Sequence, residues 1–177
     1  MSAAPYVAPG ASDLESRAHD QQHESLRLWL RLLACTTMIE RSIRTRLHRR
    51  FATTLPRFDL MAQLERSPDG LRMGELSRRM MVTGGNVTGI TDQLVAEGFV
   101  ERRPIAADRR ALAVRLTAKG RRRFMTMAAL HERWIEEITG DLPATERARL
   151  FVLLGRLKTV IRDGAERNAR PIPGDKA

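Results

Sequence analysis

The sequence predicts a mainly α (α+β) fold, a winged helix-turn-helix module embedded between long N- and C-terminal helices. Three observations predict it. Two helix patterns, over 73–80 and about 84–97, follow one another across a short break. The run DRRALAVRLTAKG (108–120) alternates behind an arginine-rich loop, as the return strand of a hairpin does. Both ends of the chain also carry helix patterns with more apolar surface than one small module can bury.

The first helix is expected over about 22–51. Leu28, Leu32, Cys35, Ile39, Ile43 and Leu47 recur at steps of three or four, with Leu26, Leu30 and Leu33 on an adjacent face. A stripe this wide calls for a second subunit. Pro56 suits the start of a helix whose body runs from Phe58 to Leu64, and Ser67-Pro68-Asp69-Gly70 is a turn. A short helix over 73–80 follows, burying Leu76 and Met80 at i, i+4. Thr83 is placed to cap the helix over 84–97, with Val87, Ile90, Leu94 and Val95 inward and Gly98 as its stop. Strands are expected over 99–103 and 111–116 around a loop at 106–109. Thr117 then caps a helix to about Ile138, a break follows at 140–143, and a last helix spans about 144–165. Its apolar set (Leu150, Phe151, Leu153, Leu154, Leu157, Val160 and Ile161) is again too broad to face solvent.

The domain reading is one unit over 22–168, with the reader at 55–117 and dimerisation helices at 22–52 and 118–168. Residues 1–20 and 169–177 are expected to be flexible tails. The chain of 177 residues is long enough for a sizeable core. Its net charge of +10 favours polyanionic partners, although RNA and membrane surfaces attract basic proteins too. Nine cations and one acid, Asp108, lie between Arg102 and Arg123, and a second knot (Arg41, Arg44, Arg46, Arg49, Arg50) ends the first helix. Lysine occurs only at 119, 158 and 176. This arginine bias suits phosphate and guanine recognition, or reflects a GC-rich genome.

A single cysteine, Cys35, excludes an intrachain disulfide and a CxxC metal site and fits a reducing cytoplasm. No apolar run approaches the ~20 residues of a membrane-spanning helix. The four histidines have no zinc spacing and form no triad with Cys35, and GGN is not a phosphate-binding loop. No enzyme, metal or cofactor is expected.

A reader helix followed by a basic hairpin grips one duplex at two adjacent grooves. On the helix, Thr83, Gly85, Asn86, Thr88, Gly89, Thr91, Asp92 and Gln93 form the expected outer face. Asn86 and Gln93 suit adenine edges, and Thr88 and Thr91 suit phosphate or a thymine methyl. In the hairpin, Arg110 suits a narrow minor groove, oriented by Asp108, while Arg102, Arg103 and Arg109 suit phosphates. For Arg121, Arg122 and Arg123, solvation and phosphate contact stay equally open.

Four stretches, MGELSRRM (73–80), GNVTGITDQLVAEG (85–98), FVERR (99–103) and DRRALAVRLTAKG (108–120), resemble the MarR family of transcriptional regulators over about residues 26–162. The resemblance implies a homodimer joined by the first and last two helices, which binds a palindromic site in double-stranded DNA. It also implies repression released by a small effector, with Asp108 and Arg110 as the wing pair. GGNVTGITDQL (84–94) resembles a subgroup controlling aromatic-acid catabolism, which implies an aromatic acid or its CoA thioester as effector. Arg31, Met38, Met61 and Met125 are the expected pocket residues. Peroxide-sensing members carry a cysteine near the position of Leu30 with tyrosine partners, whereas here Cys35 is displaced and Tyr6 is the only tyrosine. A redox-responsive regulator using Cys35 and a nonspecific architectural DNA binder remain as alternatives.

Overall fold

The computed structural model describes residues 23–81, 83–105 and 108–168, with the side chains of 105–111 and of 168 outside the description. Both expected tails and the hairpin tip at 106–107 therefore lie outside the described residues. Nine elements follow in order: α1 (Glu24–Phe51), α2 (Leu55–Glu65), β1 (Leu71–Arg72), α3 (Met73–Met80), α4 (Gly84–Ala96), β2 (Val100–Ile105), β3 (Asp108–Leu116), α5 (Ala118–Thr139) and α6 (Ala144–Asn168).

The sheet has the order β1-β3-β2, both pairs antiparallel. Sequence patterning leaves β1 out, because two residues carry no alternation. It exists because Leu71 and Arg72 pair with Val114 and Ala113 of β3.

The helix ends are set by local chemistry. Thr117 caps α5: its hydroxyl oxygen accepts the amide of Gly120 at 2.9 Å. At the end of α4 the amide of Gly98 donates to the Val95 carbonyl and that of Phe99 to the Leu94 carbonyl, both at 2.9 Å. This double closure needs a left-handed residue, and Gly98 supplies it with φ +72°. Thr83 stands at the start of α4 in an extended conformation but makes no capping bond with its side chain.

One core gathers Leu47, Leu60, Met61, Leu64, Leu76, Val87, Leu94, Val114 and Met127, all essentially removed from solvent. Burying each such side chain contributes roughly 1.5–3 kcal/mol. Of the expected inward positions Met80, Ile90 and Val95 are only half-buried. Phe58 carries the packing toward α5, its ring 5.4 Å from Phe124 and 4.8 Å from His131.

Burial holds the His131 pKa below its usual 6.5. The neutral imidazole is the form that packs on Phe58, so the unfolded chain binds more protons below about pH 6.5. Stability is then complete above that pH and declines as pH falls through the folded pKa. Replacing His131 by phenylalanine should flatten that decline between pH 7 and 5, read as melting temperature against pH. An unchanged slope would remove His131 as its source.

The chain forms two compact units, one through His131 and one from Glu132. No described residue of α6 is buried. Phe151 is 80% exposed, and Leu150, Val152, Leu153, Val160 and Ile161 are exposed with it. In the first unit the C-terminal half of the α1 stripe, Ile43 and Leu47, is buried, while Leu26, Leu28, Trp29 and Leu33 in its N-terminal half are exposed. Cys35, expected on the apolar stripe, is exposed. Among the described residues no helix is long and apolar enough to cross a membrane, and no cluster of three metal-ligating side chains occurs.

Candidate nucleic-acid interface

The outer face of α4 consists of Gly85, Asn86, Thr88, Gly89, Asp92 and Gln93, all exposed, with Thr83 exposed just before it. Asn86, Gly89 and Gln93 stand at i, i+3 and i+7, which aligns two amides about 10 Å apart around a glycine notch. A β-carbon at Gly85 or Gly89 would meet nothing within 4 Å. Packing among the described residues therefore does not require either glycine.

Thr91 is a correction. Expected on the outer face, it is 0% exposed, its hydroxyl donating to the Val87 carbonyl at 2.8 Å. Position 91 lies four residues after Val87 and three before Leu94, so helical geometry assigns it to the buried stripe. Its short polar group is satisfied by the helix backbone. The Thr88 hydroxyl likewise donates to the Gly84 carbonyl, at 3.0 Å, but its side chain stays exposed.

The hairpin pairs from Val100 with Leu116 to Ile105 with Asp108, with an irregularity between Pro104 and Ile105. The backbone of Asp108, Arg109 and Arg110 belongs to β3, and their side chains lie outside the described residues. Behind the tip, the cations counted in the sequence are largely spoken for. Arg102 donates to the Asp92 carboxylate at 2.5 Å, joining β2 to α4. Arg103 and Arg115 both bond Glu101, at 3.0 and 2.7 Å. Those two guanidinium groups hold the Glu101 pKa below the usual 4.5, so it stays ionised beside them. Arg121 pairs with Glu65 at 3.0 Å, and Arg123 donates to the Phe51 carbonyl at 2.7 Å with its guanidinium over the Phe51 ring. Lys119 donates to the Glu97 carbonyl at 2.8 Å. The described cations of the run are thus mainly internal bracing: Arg102, Arg103, Arg115 and Arg121 pair with carboxylates, and Lys119 and Arg123 donate to backbone carbonyls. Arg121 and Arg123 thus each hold a partner within the chain, and Arg121 stays 44% exposed beside it.

The expected pocket residues are not brought together. Met61 is a core residue at 1% exposure, Met38 is 72% exposed on α1, and Met125 is exposed on α5. Arg31 lines a shallow depression with Glu24, Arg27 and Leu28, whereas Met38 lines another with Arg41, Ser42, Thr45, Arg46 and Arg49. The cavity that Met61 lines, with Phe51, Leu94 and Met127, has a volume of about 30 Å³, room for one water and not for an aromatic ring.

Comparison with known proteins bears on this arrangement. Residues 53–112 match the profile of the MarR family, which spans α2, the helix-turn-helix and most of the hairpin. The transcriptional activatory protein BadR of Rhodopseudomonas palustris is 30% identical over 118 residues, covering 65% of this chain and 67% of that protein. A solved MarR family transcriptional regulator from Silicibacter pomeroyi matches with a TM-score of 0.68 and 30% identity, over 80% of this chain and 98% of the other. The chain belongs to the MarR family. A mutant MarR from Escherichia coli, solved in complex with operator DNA, is also similar, with a TM-score of 0.66 and 27% identity over 78% of this chain and 98% of that one.

The MarR relatives are named as transcriptional regulators, not as enzymes. For three of these regulators, the chain spans 61%, 57% and 59% of their length. The profile match begins after α1 and ends before α5. What is common to the MarR family is therefore carried most clearly by the reader, and the terminal helices carry less of it. One contact at the candidate interface escaped sequence reasoning: the Arg102–Asp92 pair. Its partners are ten residues apart across a turn, and nothing in that spacing signals a contact.

Proposed function

We propose that this MarR family member is a homodimeric DNA-binding regulator that reads a palindromic site and represses transcription until a small effector, an aromatic acid or its CoA thioester, releases the DNA. The observation that carries the reading is the exposed Asn86–Gly89–Gln93 stripe, free of packing duties, next to a hairpin whose inner arginines are already paired. Two amides about two helical turns apart suit adenine edges in a major groove. Thr88, its proton committed to Gly84, suits a thymine methyl better than a phosphate. Thr83, Gly85 and the hairpin residues Arg102, Arg103, Asp108, Arg109 and Arg110 complete the surface, with Arg102 and Arg103 contributing charge already shared with Asp92 and Glu101.

Dimerisation is supported by the apolar surface that α1 and α6 leave exposed, more than a stable monomer tolerates. Two readers would then address half-sites about 34–36 Å apart. The inner cavity lined by Met61 is too small for an aromatic effector, so we place the effector pocket where subunits meet, where Arg31, Met38 and Met125 are exposed.

Selection of duplexes from a random pool, together with sedimentation at micromolar concentration, tests the proposal. A dimer enriching an inverted repeat supports it. A monomer, or a pool left without preference, overturns it. Replacing Arg110 by alanine should weaken binding to the selected duplex by about 1–3 kcal/mol at fixed salt. Unchanged affinity would take the wing tip out of the interface.

A further inference from the structure

The C-terminal end of α4, away from the glycines and Asn86, is held by side chains from two other elements. Arg57 of α2 forms an ion pair with the Glu97 carboxylate, and Lys119 of α5 donates to the Glu97 carbonyl at 2.8 Å. The same ammonium lies 4.8 Å from the centroid of the Phe99 ring. Arg57 is 15% exposed at its side chain, and its Nε is buried without a hydrogen-bond partner among the described residues. Glu97 is thus the described partner that keeps this guanidinium in place, and through one residue α4 is tied to both α2 and α5.

The residue lies where helix chemistry favours such a tie. Carbonyls at the end of a helix carry partial negative charge, so cations from neighbouring elements are drawn there. Beside it lies the cavity of about 30 Å³ lined by Arg57, Glu97, Phe99 and Arg123 among others, so packing alone does not wedge this joint tight. A helix of 13 residues is a lever of ~20 Å, and a tilt of ~5° about the anchored end moves the far end by ~2 Å. Base-edge contacts hold only within roughly half an ångström, whereas phosphate contacts by flexible cations tolerate more.

We propose that Glu97, clamped by Arg57 and Lys119, is a positioning residue that sets the tilt of α4 and so determines base discrimination without touching DNA. This rests on the reading of α4 as the DNA reader. Glu97 is an acid in a protein expected to face a polyanion, so simple electrostatics says that removing it tightens binding to every duplex. Positioning says the opposite for the preferred duplex alone.

The test compares the full chain with Glu97→Ala and Glu97→Gln, using a duplex selected by the wild-type chain and a scrambled duplex of equal length at one salt concentration. The ratio of the two affinities should fall by about five- to tenfold in Glu97→Ala, the loss of roughly one base pair's discrimination. Binding to the scrambled duplex should stay level or rise. Glu97→Gln, which keeps one acceptor for Arg57, should recover part of the ratio, and both variants should keep the wild-type circular dichroism. An undiminished ratio in Glu97→Ala, or equal weakening on both duplexes, overturns the inference while leaving the DNA-reading proposal in place. A wild-type chain that prefers no duplex overturns both.

Discussion

Alanine at Gly120 is expected to destabilise the fold by roughly 3 kcal/mol or more, because an added methyl there meets backbone more closely than at any other described glycine. Its β-carbon would lie 1.8 Å from the Phe99 carbonyl oxygen and 2.7 Å from the carbonyl carbon. Both are backbone atoms, so no side chain can turn aside. The same oxygen accepts the Thr117 amide at 3.0 Å, and the Thr117 hydroxyl donates to the Gly98 carbonyl at 2.8 Å. Moving either partner therefore disturbs the cap of α5 and the end of α4 together. For a chain of this size the melting temperature should drop by about 6–12 °C. Thermal and urea melts check this, and a variant within about 2 °C of wild type would show that α5 can slide freely against the α4–β2 turn.

Glutamate at Gly89 should have the largest effect on the proposed activity, with the opposite sign on stability. A β-carbon there meets no described atom within 4 Å, and an interior helical glycine costs roughly 0.5–1 kcal/mol relative to a good helix former. The variant should melt at or above the wild-type temperature. In the proposed interface, however, its carboxylate stands between Asn86 and Gln93 against the phosphates, a like-charge contact costing several kcal/mol. Affinity for the selected duplex should fall by about a hundredfold or more, since every ~1.4 kcal/mol is tenfold. Gly89→Ala shares the stability gain with a smaller loss of binding. Fluorescence anisotropy at fixed salt separates the two, and wild-type affinity in Gly89→Glu would remove α4 as the reader.

Where local chemistry decides structure, the sequence was legible. Thr83, Gly98, Thr117 and Pro56 punctuate the chain, and each helix begins or ends within a few residues of the place these residues indicate. The exposed face of α4 was legible for the same reason, since 3.6-residue periodicity separates Asn86, Gly89 and Gln93 from Val87 and Leu94. Thr91 was misplaced because its polar type was weighed above its register. Hydroxyl groups that bond their own helix can be buried at little cost, so residue type is a poor guide there. The strand β1 was illegible because its existence depends on β3 and not on its own two residues.

By itself, the sequence determined the order of the helices and of the two hairpin strands, the Thr117 cap and the Gly98 stop, the exposed face of α4 and the excess of apolar surface at both ends. Only the tertiary structure decided which cations are available to a partner. Arg102, Arg115, Arg121 and Arg123 meet Asp92, Glu101, Glu65 and the Phe51 carbonyl across 10, 14, 56 and 72 residues of chain. Charge pairing depends on distance through space, which composition and spacing along a chain do not encode, whereas helix register and capping act within a turn or two of the residue that causes them.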